Sequence, residues 1–302
     1  MPLYGVDPYA PGLGDGVPET TTLAGSGYAV PAGLEAVLEY NGLFLNVQKN
    51  TDRYKITNID GLGDSDIRDT RDVNTDDDGE TPFNAFLGGR TIVLTGTIET
   101  YSVAKLRDMQ QALRAAFADV SQERPLHFRV GDFRKDHVIY CKKVASNGMS
   151  ETQQNRRMSR DFQVTLRASN PRFLSWYQKF FYATPTPVTA PLLLGTLMNA
   201  GNYTAEPVYR IYGPSQSTTI TNDTTGKSFT VSHIEFGNYF DFNIAKKSLV
   251  DSFGVNRWNN LSDDSDYVKM LGSTPGYPSG DNVFFFTGDS PRVEISWYDS
   301  WV

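Results

Sequence analysis

Three side chains capable of nucleophilic or metal chemistry fall close together in this sequence: His127, His137 and Cys141. A thiol becomes a nucleophile when an imidazole takes its proton, and that imidazole needs a third group to orient it. On a strand, His137 and Cys141 share a face but stand about 13 Å apart along it. No residue nearby supplies the third member, so the spacing points to half-buried structural side chains. Cys141 is the single cysteine, which excludes an intramolecular disulfide framework and a Cys-rich zinc site. Three histidines leave little material for a His-based metal site.

An acidic stretch invites a cation test. Asn74, Asp76, Asp78 and Gly79 match the opening ligand and glycine positions of an EF-hand loop, but Pro82 and Ala85 stand where the later ligands must be. Asp263, Asp264 and Asp266 read as a solvated turn. The run Gly12 to Gly16 and the triplet Gly61-Leu62-Gly63 neither follow a strand nor open a helix, so neither has the setting of a dinucleotide loop. The chain contains no P-loop, no HExxH and no GxSxG elbow. Its many carboxylates show no glycosidase pattern. Trp258, Trp297, Tyr298 and Trp301 suggest a sugar-stacking face, against which Trp297 continues the Val293–Ile295 face and reads as core. Nothing here gives a reason to propose catalysis or a bound cofactor.

The composition agrees. The chain has 302 residues, enough for two domains of about 100–200 residues. It is 39% hydrophobic, 13% aromatic and 21% charged, which excludes a disordered tail or a coiled coil. A net charge of −7 argues against a dedicated nucleic-acid binder. Its aromatic load, with 26 Gly and 16 Pro, favours strands and turns. No Lys or Arg precedes Lys49, so no secretory n-region is visible. The uncharged run Ala183 to Ala205 is interrupted by Pro185, Pro187 and Pro191, and its apolar part, Leu192 to Met198, is too short to span a bilayer. A soluble protein with no membrane partner is expected.

The charge is uneven. Residues 1–120 carry a net −9, residues 121–180 a net +7 and residues 181–302 a net −5. The acidic and basic stretches can meet inside one copy of the chain or between neighbouring copies, where complementary charge fixes register and partner choice. The candidates are Asp64, Asp66, Asp76, Asp77 and Asp78 on one side, and Arg134, Lys142, Lys143, Arg156, Arg157 and Arg160 on the other.

The elements that must position these groups follow from periodicity. Residues 1–33, rich in Pro, Gly and Thr, read as an extended N-terminal arm that orders against something else. Asn41-Gly42 predicts a hairpin turn. Asp64 to Pro82 is polar and reads as a mobile or interface loop. Ile92, Leu94 and Ile98 form a strand with Gly96 on its apolar face. Ser102 is a candidate N-cap for a helix whose stripe is Leu106, Met109, Leu113 and Phe117. Further strands are Leu126 to Val130, Val138 to Tyr140 and Phe162 to Ala168. This half is mainly β or α+β, with one helix. After a Pro-rich linker come six short strands: 208–211, 218–221, 229–234, 240–244, 283–286 and 293–297, separated by turns. That pattern predicts a β-sandwich. The expected divisions are an arm at 1–33, a first domain at 34–182, a linker at 183–198 and the sandwich at 199–302.

These features resemble, in order, the distal tail proteins of long-tailed bacteriophages with non-contractile tails, also called siphovirus tail components or minor tail proteins. The resemblance runs from about Leu34 to Val302. It is carried by Ile67-Arg68-Asp69, Asp78-Gly79 and Gly89-Arg90-Thr91-Ile92 leading into Leu94 and Gly96. Leu113-Arg114-Ala115-Ala116-Phe117 and Pro125-Leu126 follow, then Asp161-Phe162-Gln163-Val164 running to Leu166, Ala168, Asn170 and Pro171. In the second half it is carried by Asn199, Gly201, Asn202, Pro207, Ile211 and Gly213, by Gly280-Asp281-Asn282-Val283, and by the closing Trp297-Tyr298-Asp299-Ser300-Trp301-Val302. Residues 1–33 and the insert from Ser262 to Pro278 depart from the pattern.

The resemblance implies a mainly β chain: an N-terminal split β-barrel with one helix that packs into a six-fold ring, and a C-terminal galectin-like or jelly-roll sandwich. The implied role is that of a non-enzymatic virion protein at the distal end of the tail, made in the host cytoplasm. Its implied partners are its own copies in a homo-hexameric ring, the tail tube protein, the tail-tip or baseplate hub, and viral DNA in transit through the lumen. The alternative is a carbohydrate-binding or receptor-binding subunit that meets host cell-wall glycan through the C-terminal sandwich.

Overall fold

The computed structural model describes residues 21–22, 29–30, 36–46, 52–63, 65–68, 71–73, 80–82, 86–130, 137–145 and 159–302. They form two compact units that divide between Phe173 and Leu174. Most of the expected arm, 1–33, lies outside the described residues. The described elements before the division are β1 (Thr21–Thr22), β2 (Ala29–Val30), β3 (Ala36–Tyr40), β4 (Leu43–Leu45), β5 (Arg53–Asp60), β6 (Ile67–Arg68), β7 (Arg71–Val73), β8 (Glu80–Pro82), β9 (Phe86–Leu87), β10 (Arg90–Glu99), α1 (Val103–Ala116), β11 (Arg124–Val130), β12 (His137–Ala145) and β13 (Ser159–Ala168). Strand β14 (Phe173–Ser175) falls at the division. Then come β15 (Lys179–Ala183), β16 (Val188–Met198), β17 (Val208–Tyr212), β18 (Ser215–Asn222), β19 (Lys227–Ile234), β20 (Tyr239–Asn243), β21 (Ser248–Asp251), β22 (Asp281–Gly288), β23 (Val293–Trp297) and β24 (Ser300–Trp301). The chain is mainly β, with one α-helix among the described residues.

The first unit starts from the Asn41-Gly42 turn, whose φ angles of 49° and 79° are those a two-residue hairpin turn demands. From that hairpin the strands pair in the order β4-β3-β11-β12-β13-β10-β5. The pairing of β10 with β13 runs from Arg90 opposite Ala168 to Glu99 opposite Ser159. A period of two then buries Ile92, Leu94 and Ile98 with Phe162, Val164 and Leu166. Gly96 has to be glycine, because a Cβ there would sit 2.5 Å from the Lys55 carbonyl and 2.7 Å from the Phe162 ring. At the far end of the path, the Asn46 amide donates to the Tyr54 carbonyl at 2.7 Å, which brings the end of β4 to β5.

Helix α1 turns Leu106, Met109 and Leu113 inward, as their spacing predicts, and Phe117 follows at its C-terminus. The Tyr54 hydroxyl donates to the Met109 carbonyl at 2.8 Å, and the Phe117 ring stacks on Tyr40 at 4.6 Å. Ser102 stands at the N-cap, but its side chain makes no cap hydrogen bond; the helix begins instead on its carbonyl, which accepts from the Leu106 amide. The stretch Asp64 to Pro82 differs from the loop expected. In its described part β6 pairs with β9 and β7 with β8. Such short polar strands carry no apolar alternation, so periodicity misses them.

In the second unit two sheets pair in the orders β15-β23-β17-β20-β21 and β16-β22-β18-β19. They share one core. Tyr209, Ile211, Phe240, Phe242 and Ile295 come from the first sheet, and Ile220, Phe229, Val231, Phe284 and Phe286 from the second. The Phe229 ring lies 4.9 Å from both Tyr209 and Phe242. Each such burial stabilises the fold by about 1.5–3 kcal/mol. Residues 183–198 do not form the linker expected from the prolines: Val188–Met198 is a strand paired with β22. Proline is tolerated on an edge strand and at irregular register, and the register shifts on both sides of the Leu192–Leu193 pair. Strand β21 has no counterpart among the strands expected from the sequence. Among the described residues no helix is long and apolar enough to cross a membrane.

Candidate assembly interface

The residues that carry the sequence motifs hold backbone rather than substrate. Arg90 begins β10 and is 2% exposed. Its Nε donates to the Pro171 carbonyl at 3.1 Å, Nη1 to the Gly61 carbonyl at 3.0 Å and also to that of Gly63, and Nη2 to the Ser65 hydroxyl at 2.9 Å. Its guanidinium lies 4.4 Å from the centre of the Phe173 ring. Only the rigid five-donor fork of arginine reaches so many separate acceptors.

The second unit has a comparable knot. The Asn199 amide oxygen accepts from the Gly201 and Ser300 amides, and its nitrogen donates to the Tyr203 carbonyl. A Cβ on Gly201 would meet the Ser300 carbonyl at 1.9 Å, and one on Gly280 would meet the Asn199 carbonyl at 2.3 Å. Asn282, also buried, bonds Leu271 through both its amide groups and receives the Asn222 amide at 3.0 Å. Asp299 takes Lys179 at 2.7 Å and the Ala200 amide at 3.1 Å. The motif residues Asn199, Gly201, Gly280, Asn282, Asp299 and Ser300 thus tie the ends of β16, β22 and β23 together.

The residues suited to chemistry are quiet. Burial pushes the Cys141 thiol up to about 12, so no thiolate nucleophile exists near neutrality. Burial pushes His127 down to about 4 and keeps it neutral. The Glu39 carboxylate stands 3.8 Å from its Nε2, which is beyond hydrogen-bonding reach, and burial outweighs that attraction. His137 is buried on the same strand as Cys141. Trp297 is buried and donates its indole N–H to the Met198 carbonyl, while Trp258 sets its edge against Phe242 at 6.0 Å, so these two serve the core. Among the described residues, no group of three or more His, Cys, Asp or Glu is placed to hold a metal ion.

The charged candidates divide. Asp64, Asp76, Asp77, Asp78, Arg134, Arg156 and Arg157 lie outside the described residues. The Asp66 carboxylate is 77% exposed, 3.9 Å from the Arg167 guanidinium. That contact joins the acidic and basic stretches within one copy. Lys142 and Lys143 sit half-buried on β12, opposite Arg167 and Leu166 of β13, and no ion pair of theirs occurs among the described residues. Arg160 is half-buried on β13 and donates to the Ser159 carbonyl at 3.0 Å. One array left no mark in the sequence: Tyr182, Arg210, Tyr212, Tyr239 and Arg292 gather only because β15, β23, β17 and β20 pair.

No family model matches the chain, and no curated relative does. Solved structures do. The Dit protein (gp 19.1) of phage SPP1, described as a paradigm of the hub adsorption apparatus in phages infecting Gram-positive bacteria, is 12% identical and superposes with a TM-score of 0.63, covering 88% of this chain and 99% of that one. A chain of the phage p2 baseplate in its activated conformation with Sr is 7% identical at a TM-score of 0.47, covering 87% of this chain and 97% of its own. The corresponding structure with Ca gives 6% identity and a TM-score of 0.45, again covering 87% and 97%. With both units aligned in order over nearly the whole of the SPP1 protein, the chain has the fold of a phage distal tail protein.

Proposed function

We propose that this chain is a structural, non-enzymatic subunit of a siphovirus tail tip: a distal tail protein whose copies close into a ring, six by family resemblance, between the tail tube and the tip or baseplate hub. The observation that carries this reading is the likeness to the SPP1 hub protein across both units rather than one. In this reading the first unit is the split barrel. It is supported by the approach of β4 to β5 and by the helix against Tyr40 and Tyr54. The second unit is the sandwich, supported by the single core that its two sheets share. Motif residues spent on backbone geometry are what an adaptor needs, since rings work by shape and matched faces.

Ring closure takes heterologous contacts, one face of a subunit meeting a different face of the next. We place Asp64, Asp66, Asp76, Asp77 and Asp78 of one subunit near Arg134, Lys142, Lys143, Arg156, Arg157 and Arg160 of its neighbour, on the strength of the −9 and +7 charge split. DNA would cross the lumen without being held, because an acidic or mixed wall does not grip phosphate. Residues 1–33 would order against an adjoining tail component, so a chain lacking them should form rings that fail to join tails. The direct test is light scattering on the purified protein, with negative-stain images of the same fraction and of a mixture with the tail tube protein. A closed ring in either sample is the expected result. Monomers in both would contradict the reading.

A further inference from the structure

The outward face of the five-stranded sheet in the second unit carries an ordered array of rings and guanidinium groups. Tyr182 on β15, Tyr212 on β17 and Tyr239 on β20 point away from the core, since their neighbours Phe181, Ile211 and Phe240 pack inward. Arg292 lies between the first two, 5.9 Å from the Tyr182 ring and 5.0 Å from Tyr212. The Tyr212 ring is 5.6 Å from Tyr239, and Arg210 stacks on Tyr239 at 4.1 Å. Beside this row Phe180 is 70% exposed and Tyr182 52%.

Every one of these guanidinium groups is already matched. Arg210 forms a two-pronged pair with Asp241 at 2.7 and 2.8 Å, and Arg292 pairs with Glu294. The register sets Glu294 opposite both Tyr182 and Arg210, and Arg210 opposite Asp241, so the paired charges form a second row beside the rings. A face meant for an anionic polymer would leave its arginines open, and one meant for a cation would leave its carboxylates open. Here the charges cancel locally. What is left is fixed N–H donors, carboxylate acceptors and exposed ring faces on a pleated surface. Cation–π and ion-pair contacts hold those side chains in place before a ligand arrives, which lowers the ordering cost of binding.

We propose that this face binds a neutral polyhydroxylated ligand, a glycan without phosphate or carboxylate groups. Its sugar rings lie over Phe180 and Tyr182, and its hydroxyls bond to the Arg292–Glu294 and Arg210–Asp241 pairs. The charge balance selects this occupant, because hydroxyl groups both give and accept hydrogen bonds and need no counter-charge. The placement differs from the tryptophan set that the sequence suggests, two of whose members serve the core. It goes beyond the ring reading, and only its choice of a host cell-wall probe rests on the phage-tail reading.

The test uses the full chain with two probes: a neutral, phosphate-free polysaccharide purified from the host cell wall, and a phosphate-rich teichoic acid. Titration calorimetry should show saturable binding of the first and none of the second. Affinity should hold between low and high salt, since no charge is screened. Tyr182→Ala and Phe180→Ala alter exposed side chains, so their melting should match the parent, and each should weaken binding about tenfold or more. Ring size, measured by light scattering on the same variants, should not change, which separates this claim from the adaptor reading. Binding of teichoic acid alone, unchanged affinity in both variants, or no binding of the neutral polymer would each overturn the proposal. So would a Tyr182→Ala chain that loses its contact with another tail protein instead.

Discussion

The two units settle their charges differently. In the second, Arg210, Lys227, Arg257, Lys269 and Arg292 each pair with a carboxylate of the same unit, and the buried polar groups Asn199, Asn282 and Asp299 are bonded from several sides. In the first, Lys142 and Lys143 pair with no carboxylate among the described residues, and Asp66 meets Arg167 only at 3.9 Å with most of its surface in water. The first unit also has one heavily bonded cation, Arg90, which holds its own loops. The contrast is confined to β12, since Arg53 and Arg124 of the first unit do pair with Glu99 and Asp119, and it is there that we propose the assembly contact. On that proposal the charge of Lys142 and Lys143 is kept for another chain, whereas the paired Arg210 and Arg292 leave their sheet face locally neutral.

Four measurements sharpen or break this contrast. The largest effect belongs to Arg90. Arg90→Ala leaves the buried Pro171 carbonyl and Ser65 hydroxyl without their partner, frees the Gly61 and Gly63 carbonyls, and should cost about 3 kcal/mol or more, lowering the first unit's melting transition while sparing the second. If calorimetry shows both transitions moving together, the two units do not settle their polar groups separately. Next, Asn282→Ala removes bonds to Leu271 and Asn222 and should cost about 2 kcal/mol, this time in the second unit alone. Third, Lys142→Glu with Lys143→Glu should leave both melting transitions in place and weaken ring association about tenfold, read by mass against concentration. Reversal of Arg156 and Arg157 to Glu should act the same way, and an unchanged ring in both variants would end the charge-pairing idea.

The smallest effect is a pH dependence. His127 would titrate near 6.5 when exposed and at about 4 when folded, so the unfolded chain binds its proton first as pH falls. Its contribution is present above pH 6.5 and is lost as pH falls toward 4. His127→Gln should remove part of the decline in melting temperature across that window. An identical profile in the two proteins would show that His127 is not held neutral.

Local signals were legible in the sequence where chemistry acts over a few residues. Asn41-Gly42 announces its turn because both residues must take positive φ, and the Leu106–Met109–Leu113 stripe announces a helix that buries one face. Gly96 reads as a glycine on the apolar face of its strand, and the structure adds the reason, the close approach of Lys55 and Phe162. The motif positions were visible, but not their task, because Arg90 serves Gly61, Ser65 and Pro171 from across the fold. Pro185, Pro187 and Pro191 signal a break, but only Pro191 falls within the Val188–Met198 strand, and an edge strand leaves room for it. The row Tyr182, Tyr212, Tyr239 and Arg292 was invisible for a deeper reason. Its members lie far apart in the chain and become neighbours only through strand order, which no local window contains.

The central claim, a ring subunit at the distal end of a phage tail, is tested most directly by antibody labelling of virions. Gold-conjugated antibody raised against the purified chain should mark one position on particles of the phage that encodes it, where the tail tube meets the tip. Label along the tube, on the capsid, or absent from particles whose tails are intact would contradict the account.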